Sequence, residues 1–276
     1  MSEADEHDDA HDGRVLPPLT SKIIKGGALV ADSRLVLSSW DLEAGVDQNL
    51  RIMQEQNLLG RSSRSRVDDI LRVLSQRFLD NRDVTGALVT ICRCLPMSAL
   101  LLKLLYYHAA KADRLIYHLV IEVLDRYHGT GTSKVRLADI TDPLKSWVTE
   151  GRTGGTWGEA TVVRVAQGLL AALRDFGVLE GRVSKRIAPS YLPLEAFAYV
   201  AFCLRDEVRS GERVLDSRDW KLFFLDRSAV ERFFIEAQQH NLLEYHAAGG
   251  VTRITFPADS LSEYAHVLCG RSPKGN

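Results

Sequence analysis

The sequence of 276 residues has few cysteines, and they follow no metal-binding pattern. The four are Cys92, Cys94, Cys203 and Cys269, and of these only the first two lie close together. A structural zinc site needs four ligands at recognisable spacings, and no second pair of cysteines or histidines follows. We therefore expect reduced thiols, as in most cytosolic proteins, and no bound metal.

Long hydrophobic runs are also missing. The most apolar stretch, Ala99–Ala110, is interrupted by Lys103 and is too short to cross a bilayer. The N-terminus is acidic and lacks the apolar region of a signal peptide. We expect a soluble cytoplasmic protein that is neither secreted nor bound to a membrane.

Motifs that carry catalysis or hold a cofactor are absent as well. The sequence contains no GxSxG, HExxH or Walker motif, and Gly26-Gly27 indicates a turn or close packing rather than a phosphate loop. His108, His118 and His128 lie ten residues apart and fit packing or surface positions better than ligand positions. The sequence therefore predicts a binding subunit with no catalytic residue and no cofactor, rather than an enzyme.

Charge is present in nearly equal amounts of both signs, with 35 basic and 36 acidic residues. Residues 1–20 hold six acids and one arginine, which leaves 34 basic and 30 acidic residues, or +4, in residues 21–276. Binding to a polyanion depends on local basic patches more than on net charge. Residues 1–20 are expected to form a disordered acidic tail, because they contain few apolar residues.

Helical periodicity dominates the rest of the chain. Apolar residues at helical spacing predict helices from Asp41, which is a plausible N-cap, and from near Ser65. Two further segments, 97–110 and 113–127, are apolar on most sides and are expected to be buried. The Gly129–Ser133 stretch interrupts this pattern. We therefore predict a mainly α protein whose N-terminal helical bundle spans 21–128.

The region 129–195 combines a strong helix, Gly158–Phe176, with two short strands after Gly177. Residues 164–181 align with 228–245 at an offset of 64, and Asn241 takes the place of Gly177. Glycine and asparagine are the residues that most readily end a helix in the left-handed conformation. A helix followed by a hairpin resembles the end of a winged helix, so we predict two winged-helix-like units with short β-hairpins, at 129–195 and, with a C-terminal tail, at 196–276.

Two basic clusters are candidates for DNA binding. The first comprises Arg61, Arg64 and Arg66 at the start of a helix, where backbone N–H groups and arginines can hold a phosphate. Surface salt bridges through Asp68 are the alternative. The second cluster lies in the predicted winged-helix-like region and comprises Lys134, Arg136, Arg152, Thr161, Arg164, Arg182, Lys185 and Arg186. The alternative interpretation of the second cluster is a solvent-exposed hairpin that binds no ligand.

Four stretches of the sequence together resemble the BrxA family, a small helical component of BREX phage-defence islands. They are SKIIKGGALVADSRLVLSSW (21–40), EQNLLGRSSRSRVDDILRVLSQRF (55–78), ALVTICRCLPMSALLLKLLYYHA with the following IEVLDRYH, and TWGEATVVRVAQGLLAALRDFGVLEG (156–181). The chain departs from the family in the last stretch. It has Arg164 and apolar Val162 and Val163 where family members have lysine. The part after about residue 195 is longer and less diagnostic.

The resemblance implies a non-catalytic accessory protein that binds double-stranded DNA, within a defence complex that also contains a methyltransferase and ATPases. The sequence leaves a second role open. A near-neutral charge and two winged-helix-like units also suit an adaptor that assembles the other defence proteins and contacts DNA little.

Overall fold

The computed structural model describes residues 17–96, 98–208, 210–249 and 251–271. Across these residues the chain is mainly helical with two small antiparallel sheets, and the predicted mainly α fold class is confirmed. Residues 1–16 lie outside the described residues, so the disorder expected for them stays a prediction.

The N-terminal part of the molecule consists of helices. They are α1 (Ile23–Gly26), α2 (Val30–Ser39), α3 (Val46–Glu55), α4 (Arg64–Leu74), α5 (Arg82–Cys94), α6 (Ala99–Ala112), α7 (Arg114–His118) and α8 (Asp125–Gly129). A π-helical turn at Ser75–Leu79 prolongs α4, and another at Leu119–Leu124 joins α7 to α8. Leu104 in α6 and Leu119 after α7 are fully buried, as their apolar surroundings in the sequence predicted.

The third helix begins later than the sequence predicted. We expected it to start at Asp41, but α3 starts at Val46. The Asn49 side chain accepts a hydrogen bond from the backbone N–H of Asp41 and donates one to its carbonyl, each at 2.8 Å. These bonds hold residues 41–45 in a loop, because they satisfy backbone groups that would otherwise favour a helix.

Residues 17–20 are ordered, although we assigned them to the tail. Leu19 is buried and forms a parallel β-bridge with Thr153. Its N–H donates to the carbonyl of Arg152 at 2.8 Å, and its carbonyl accepts from the N–H of Gly154 at 2.9 Å. The burial of Leu19 and its two backbone hydrogen bonds fix this segment against the loop that precedes α10.

A unit of helices and strands overlaps the end of this helical part, and we call residues 114–187 the central unit. After α7 and α8 it contains β1 (Lys134–Val135), α9 (Ala138–Thr149), α10 (Glu159–Asp175), β2 (Leu179–Glu180) and β3 (Lys185–Ile187). The strands form an antiparallel sheet in the order β1-β3-β2, in which Val135 pairs with Lys185 and Glu180 with Arg186. The sheet therefore connects the start of the unit to its end.

A second unit of helices and a hairpin occupies residues 194–255, and we call it the second unit. It contains α11 (Leu194–Val208), α12 (Gly211–Leu215), a 3-10 helix (Arg218–Phe223), α13 (Arg227–Gln239), β4 (Glu244–Ala248) and β5 (Val251–Thr255). The boundary predicted at 195/196 falls within the first turn of α11. The last helix, α14 (Leu261–Arg271), follows this unit.

The C-terminal helix returns to the N-terminal bundle and packs along α5. Gly86 allows this close approach, because a Cβ atom at that position would lie 2.4 Å from the Ser262 hydroxyl. The Asp83 carboxylate accepts hydrogen bonds from the N–H groups of Leu261 and Ser262, each at 2.8 Å. Asp83 thereby caps the start of α14 from a distant part of the chain. A single hydrophobic core joins the N-terminal helices, the central unit and the second unit.

Candidate nucleic-acid interface

Helix α10 is the central element of the candidate interface. Its buried face carries Val162, Val165, Leu169 and Leu173, the residues whose helical spacing predicted it. The helix ends at Asp175, and Gly177 two residues later has φ of 70°. The N–H of Val178 donates to the carbonyl of Leu173 at 2.9 Å, as in a Schellman motif. This ending directs the chain into the hairpin β2–β3, so the hairpin stands beside α10.

The exposed side of α10 carries a stripe of residues spaced by three, four and three positions. The α10 stripe consists of Arg164, Gln167, Ala171 and Arg174. Arg164 is exposed and has no ion-pair partner among the described residues, whereas Arg174 pairs with Asp175 at 2.6 Å. Our sequence analysis found Arg164 but missed Gln167 and Arg174, although the same helical spacing measured from Arg164 points to both. Thr161 lies half-buried in the first turn of the helix.

A groove of about 470 Å³ separates the α10 stripe from the hairpin. Basic residues from three elements line it: Lys134 and Arg136 from β1 and the residue after it, Arg174 from α10, and Lys185 from β3. Lys134 is exposed and has no ion-pair partner among the described residues. The structure thus brings Lys134 and Lys185, 51 residues apart in the sequence, to the same groove as the α10 stripe.

The hairpin β2–β3 presents the predicted wing residues unequally. Arg182 is exposed at the turn, and its carbonyl accepts a hydrogen bond from the Lys185 ammonium at 2.5 Å. Arg186 is paired with Glu180 across the two strands, at 2.5 Å. Val183 at the tip is 99% exposed. Arg182 is therefore the predicted wing residue whose guanidinium has no ion-pair partner among the described residues.

Arg136 and Arg152, like Arg186, are held by carboxylates of the same chain. Arg136 pairs with Asp139 at 3.0 Å, and its hydrogen bond lowers the pKa of that carboxyl. Arg152 donates two hydrogen bonds to Glu122, at 2.9 and 3.0 Å, and its guanidinium lies over the ring of Trp147. Its planar fork is satisfied by this pairing. Arg152 thus serves the packing of the central unit, not an open surface.

Glu122 is the centre of a partly buried network of hydrogen bonds that includes Arg152. Besides Arg152, it contacts His118, whose Nδ1 lies 2.5 Å from its carboxylate. Burial raises the pKa of Glu122, but hydrogen bonds from His118 and Arg152 outweigh burial and lower it to about 2. The carboxylate is therefore ionised at neutral pH and fixes the orientation of both partners.

The first predicted cluster is only partly available to a ligand. Arg61 pairs with Asp32 at 2.5 Å, and Arg66 donates to the carbonyl of Lys25 at 2.7 Å. Arg64 is exposed and has no partner among the described residues. Ser63 caps α4 by accepting a hydrogen bond from the N–H of Arg66. The helix start predicted near Ser65 is therefore confirmed, but the structure leaves one of the three arginines open.

Helix α1 connects the two predicted clusters. It packs against α4 and against α10, and a Cβ atom at Gly168 of α10 would lie 3.7 Å from the carbonyl of Ile23. Lys25 of α1 and Lys22, which directly precedes the helix, are exposed. Helix α1 therefore lies between α4 and α10. We call the exposed surface of the start of α4, α1, α10, β1 and the hairpin the basic face. The sequence analysis missed the two lysines because their neighbours come from distant parts of the chain.

Other candidate ligands are engaged within the protein. His108 hydrogen-bonds to the Tyr199 hydroxyl at 2.9 Å in the core. Within the four described ranges, no group of three metal-ligating side chains lies close enough to hold an ion, and the cysteines are free thiols. In the same part of the chain, the helices are too short or too polar to cross a membrane.

Together, these features define a mainly helical protein whose central unit displays a helix with two exposed arginines beside a basic hairpin. The model of the BrxA family matches residues 18–203, which is 186 of the 276 residues, and the chain belongs to that family. Family membership suggests a component of a BREX phage-defence system. No curated protein matches the chain.

Proposed function

We propose that the chain is a non-catalytic, cytoplasmic accessory subunit of a BREX system that binds double-stranded DNA mainly through phosphates. The central unit would act as a winged helix, with α10 in the major groove and the hairpin β2–β3 along the backbone. The observation that carries this proposal is the basic face, whose exposed residues include five without an ion-pair partner among the described residues: Lys25, Arg64, Lys134, Arg164 and Arg182.

The element order of the central unit supports the winged-helix interpretation. A helix, a short strand, two further helices and a hairpin follow one another, and β1 pairs with β3. This pairing holds the hairpin next to the exposed side of α10, so a helix and a loop can contact one duplex together. Arginine and lysine contacts to phosphates position a protein on DNA without reading its sequence.

The remaining predicted residues have supporting roles in this proposal. Lys185 and Arg186 add positive potential near the wing while they order it, and Thr161 lies at the end of α10 that would enter the groove. Arg136 adds charge at the groove although Asp139 partly neutralises it. Arg61, Arg66 and Arg152 hold elements in place and contribute less to DNA binding.

The test is a salt titration of duplex binding by a double variant, Arg164→Ala/Arg182→Ala. The matched control, Arg213→Ala/Arg253→Ala, removes the same charge from exposed positions of the second unit. Each phosphate contact contributes about 0.9 to the slope of log K against log salt, so the double variant should lose about two from this slope. An equal loss in the control would contradict the assignment of the basic face.

Partner proteins of the defence complex remain part of the proposal. An adaptor role is compatible with DNA binding, because the second unit presents a surface distinct from the α10 stripe. A methyltransferase and ATPases are the partners that the family resemblance implies.

A further inference from the structure

The second unit repeats the helix and hairpin of the central unit at an offset of 64 residues. Helices α10 and α13 end at equivalent positions, Asp175 and Gln239. Asn241 has φ of 53°, and the N–H of Leu242 donates to the carbonyl of Ala237 at 2.9 Å, as Val178 does after α10. The two helices can therefore be compared position by position.

The comparison shows that α13 lacks the basic residues of the α10 stripe. The four positions at the same offset form the α13 stripe, which consists of Ser228, Glu231, Ile235 and Gln238. The hairpins differ in length, because β4 and β5 have five residues each whereas β2 and β3 have two and three. The second hairpin carries an exposed Arg253 opposite His246. The repeated architecture thus carries a different surface chemistry.

The charge around the α13 stripe is negative. Arg227 is surrounded by three carboxylates, from Glu212, Asp216 and Glu231, so this cluster carries two net negative charges. Arg232 donates a hydrogen bond to the Ser228 hydroxyl at 3.1 Å and attracts the Asp226 carboxylate, so these two residues add one charge of each sign and leave the balance unchanged. Phosphates would be repelled from the carboxylates around Arg227. The second unit is therefore unsuited to bind DNA through the surface that corresponds to the α10 stripe.

The same stripe exposes an isoleucine. Ile235 is 50% exposed on a face where α10 has Ala171, whereas the opposite face of α13 is buried through Val230 and Phe234. Gln238 turns back to accept a hydrogen bond from the N–H of Tyr245 at 2.7 Å, which fixes β4 beside the helix. An exposed apolar side chain on a rigid helix next to a cluster with net negative charge is suited to a protein partner.

We infer that the α13 stripe is a docking surface for a partner protein. The occupant is a protein surface that presents a lysine or arginine to the carboxylates around Arg227 and an apolar recess to Ile235. Charge complementarity favours this occupant over DNA. The inference does not depend on whether the basic face binds DNA. The chain would then hold DNA with one unit and a protein with its repeat.

Photo-crosslinking from position 235 of the full chain, in the native host, tests this inference. The probe is the variant Ile235→benzoylphenylalanine, and the matched control carries the same amino acid at Tyr191, which is 64% exposed. We expect one protein adduct from position 235 and none from position 191. Mass spectrometry should map it to a peptide that contains a lysine or arginine. Adding Glu231→Lys should reduce this adduct at least fivefold, while circular dichroism remains unchanged.

Several results would overturn the inference: no adduct from position 235, an adduct to DNA or to a second copy of this chain, or an adduct insensitive to Glu231→Lys. The Arg164→Ala/Arg182→Ala variant separates the two proposals. It should retain the adduct while it loses DNA affinity. Adduct formation by a protein that binds no DNA would contradict the proposed function alone, and DNA binding without an adduct would contradict the docking surface alone.

Discussion

A surface arginine is available to DNA only if no carboxylate of its own chain already holds it. Arg152 and Arg61 were predicted to contact phosphate, yet they pair with Glu122 and Asp32, which lie 30 and 29 residues away in the sequence. Arg164 has no such partner. Residue type and local spacing could identify basic clusters, but they could not predict which members tertiary ion pairs would engage.

Replacing Arg152 should therefore affect stability more than DNA binding. In Arg152→Ala, Glu122 loses two charge-assisted hydrogen bonds and Trp147 loses the stacked guanidinium. We expect the free energy of unfolding to fall by about 1–3 kcal/mol. Arg164→Ala, on an exposed site, should change it by less than about 0.5 kcal/mol. Urea unfolding measures both, and equal effects of the two substitutions would contradict the structural role of Arg152.

The lowered pKa of Glu122 predicts a pH dependence of stability. The pKa is about 2 in the folded protein and 4.5 in its ordinary state, so the ionised form stabilises the fold. This contribution is present in full above pH 4.5 and is lost as the pH falls towards 2. The stability difference between the wild type and Glu122→Gln should shrink over this range in denaturant titrations. A difference independent of pH would contradict the proposed network.

At the scale of elements, the ends of α10 and α13 were predictable from local sequence. Gly177 and Asn241 both adopt positive φ, as residues that tolerate the left-handed conformation do. The start of α3 was not predictable, because the side chain of Asn49 holds the preceding loop. Short strands were placed correctly near Glu180 and Lys185, but β1 was missed, since it has two residues and depends on pairing with β3.

The conformation of Asn241 can be tested directly. Asn241→Gly should leave the free energy of unfolding nearly unchanged, because glycine adopts φ of 53° without strain. Asn241→Val should lower it by about 1–2 kcal/mol, because a β-branched residue is strained there. Thermal and urea unfolding of the pair give the measurement, and similar stabilities would show that the helix end is not constrained in this way.

At the scale of the whole molecule, charge is distributed unevenly along the chain. Residues 1–16 contain six acids and one arginine, whereas the basic face carries exposed lysines and arginines. Because residues 17–20 are packed, the deletion that tests the acidic segment should end at residue 16. The single hydrophobic core also means that the basic face and the α13 stripe belong to one folded body, although the sequence analysis divided the chain into separate units.

Deleting residues 1–16 should strengthen DNA binding, because it removes a net charge of −5 that competes with phosphates for the basic face. The gain should be severalfold at low salt and should disappear at high salt, where screening is strong. Fluorescence anisotropy with a labelled duplex measures it. A truncated protein that binds equally or more weakly at low salt would contradict this prediction.

The central claim is that the chain binds duplex DNA through phosphates at the basic face. The most direct measurement is the affinity of the full chain for three duplexes of unrelated sequence, determined by fluorescence anisotropy over a range of salt concentrations. We predict similar affinities for all three and a slope of log K against log salt between about −2 and −6, as expected for two to six phosphate contacts. Undetectable binding at low salt, or a slope near zero, would contradict the claim.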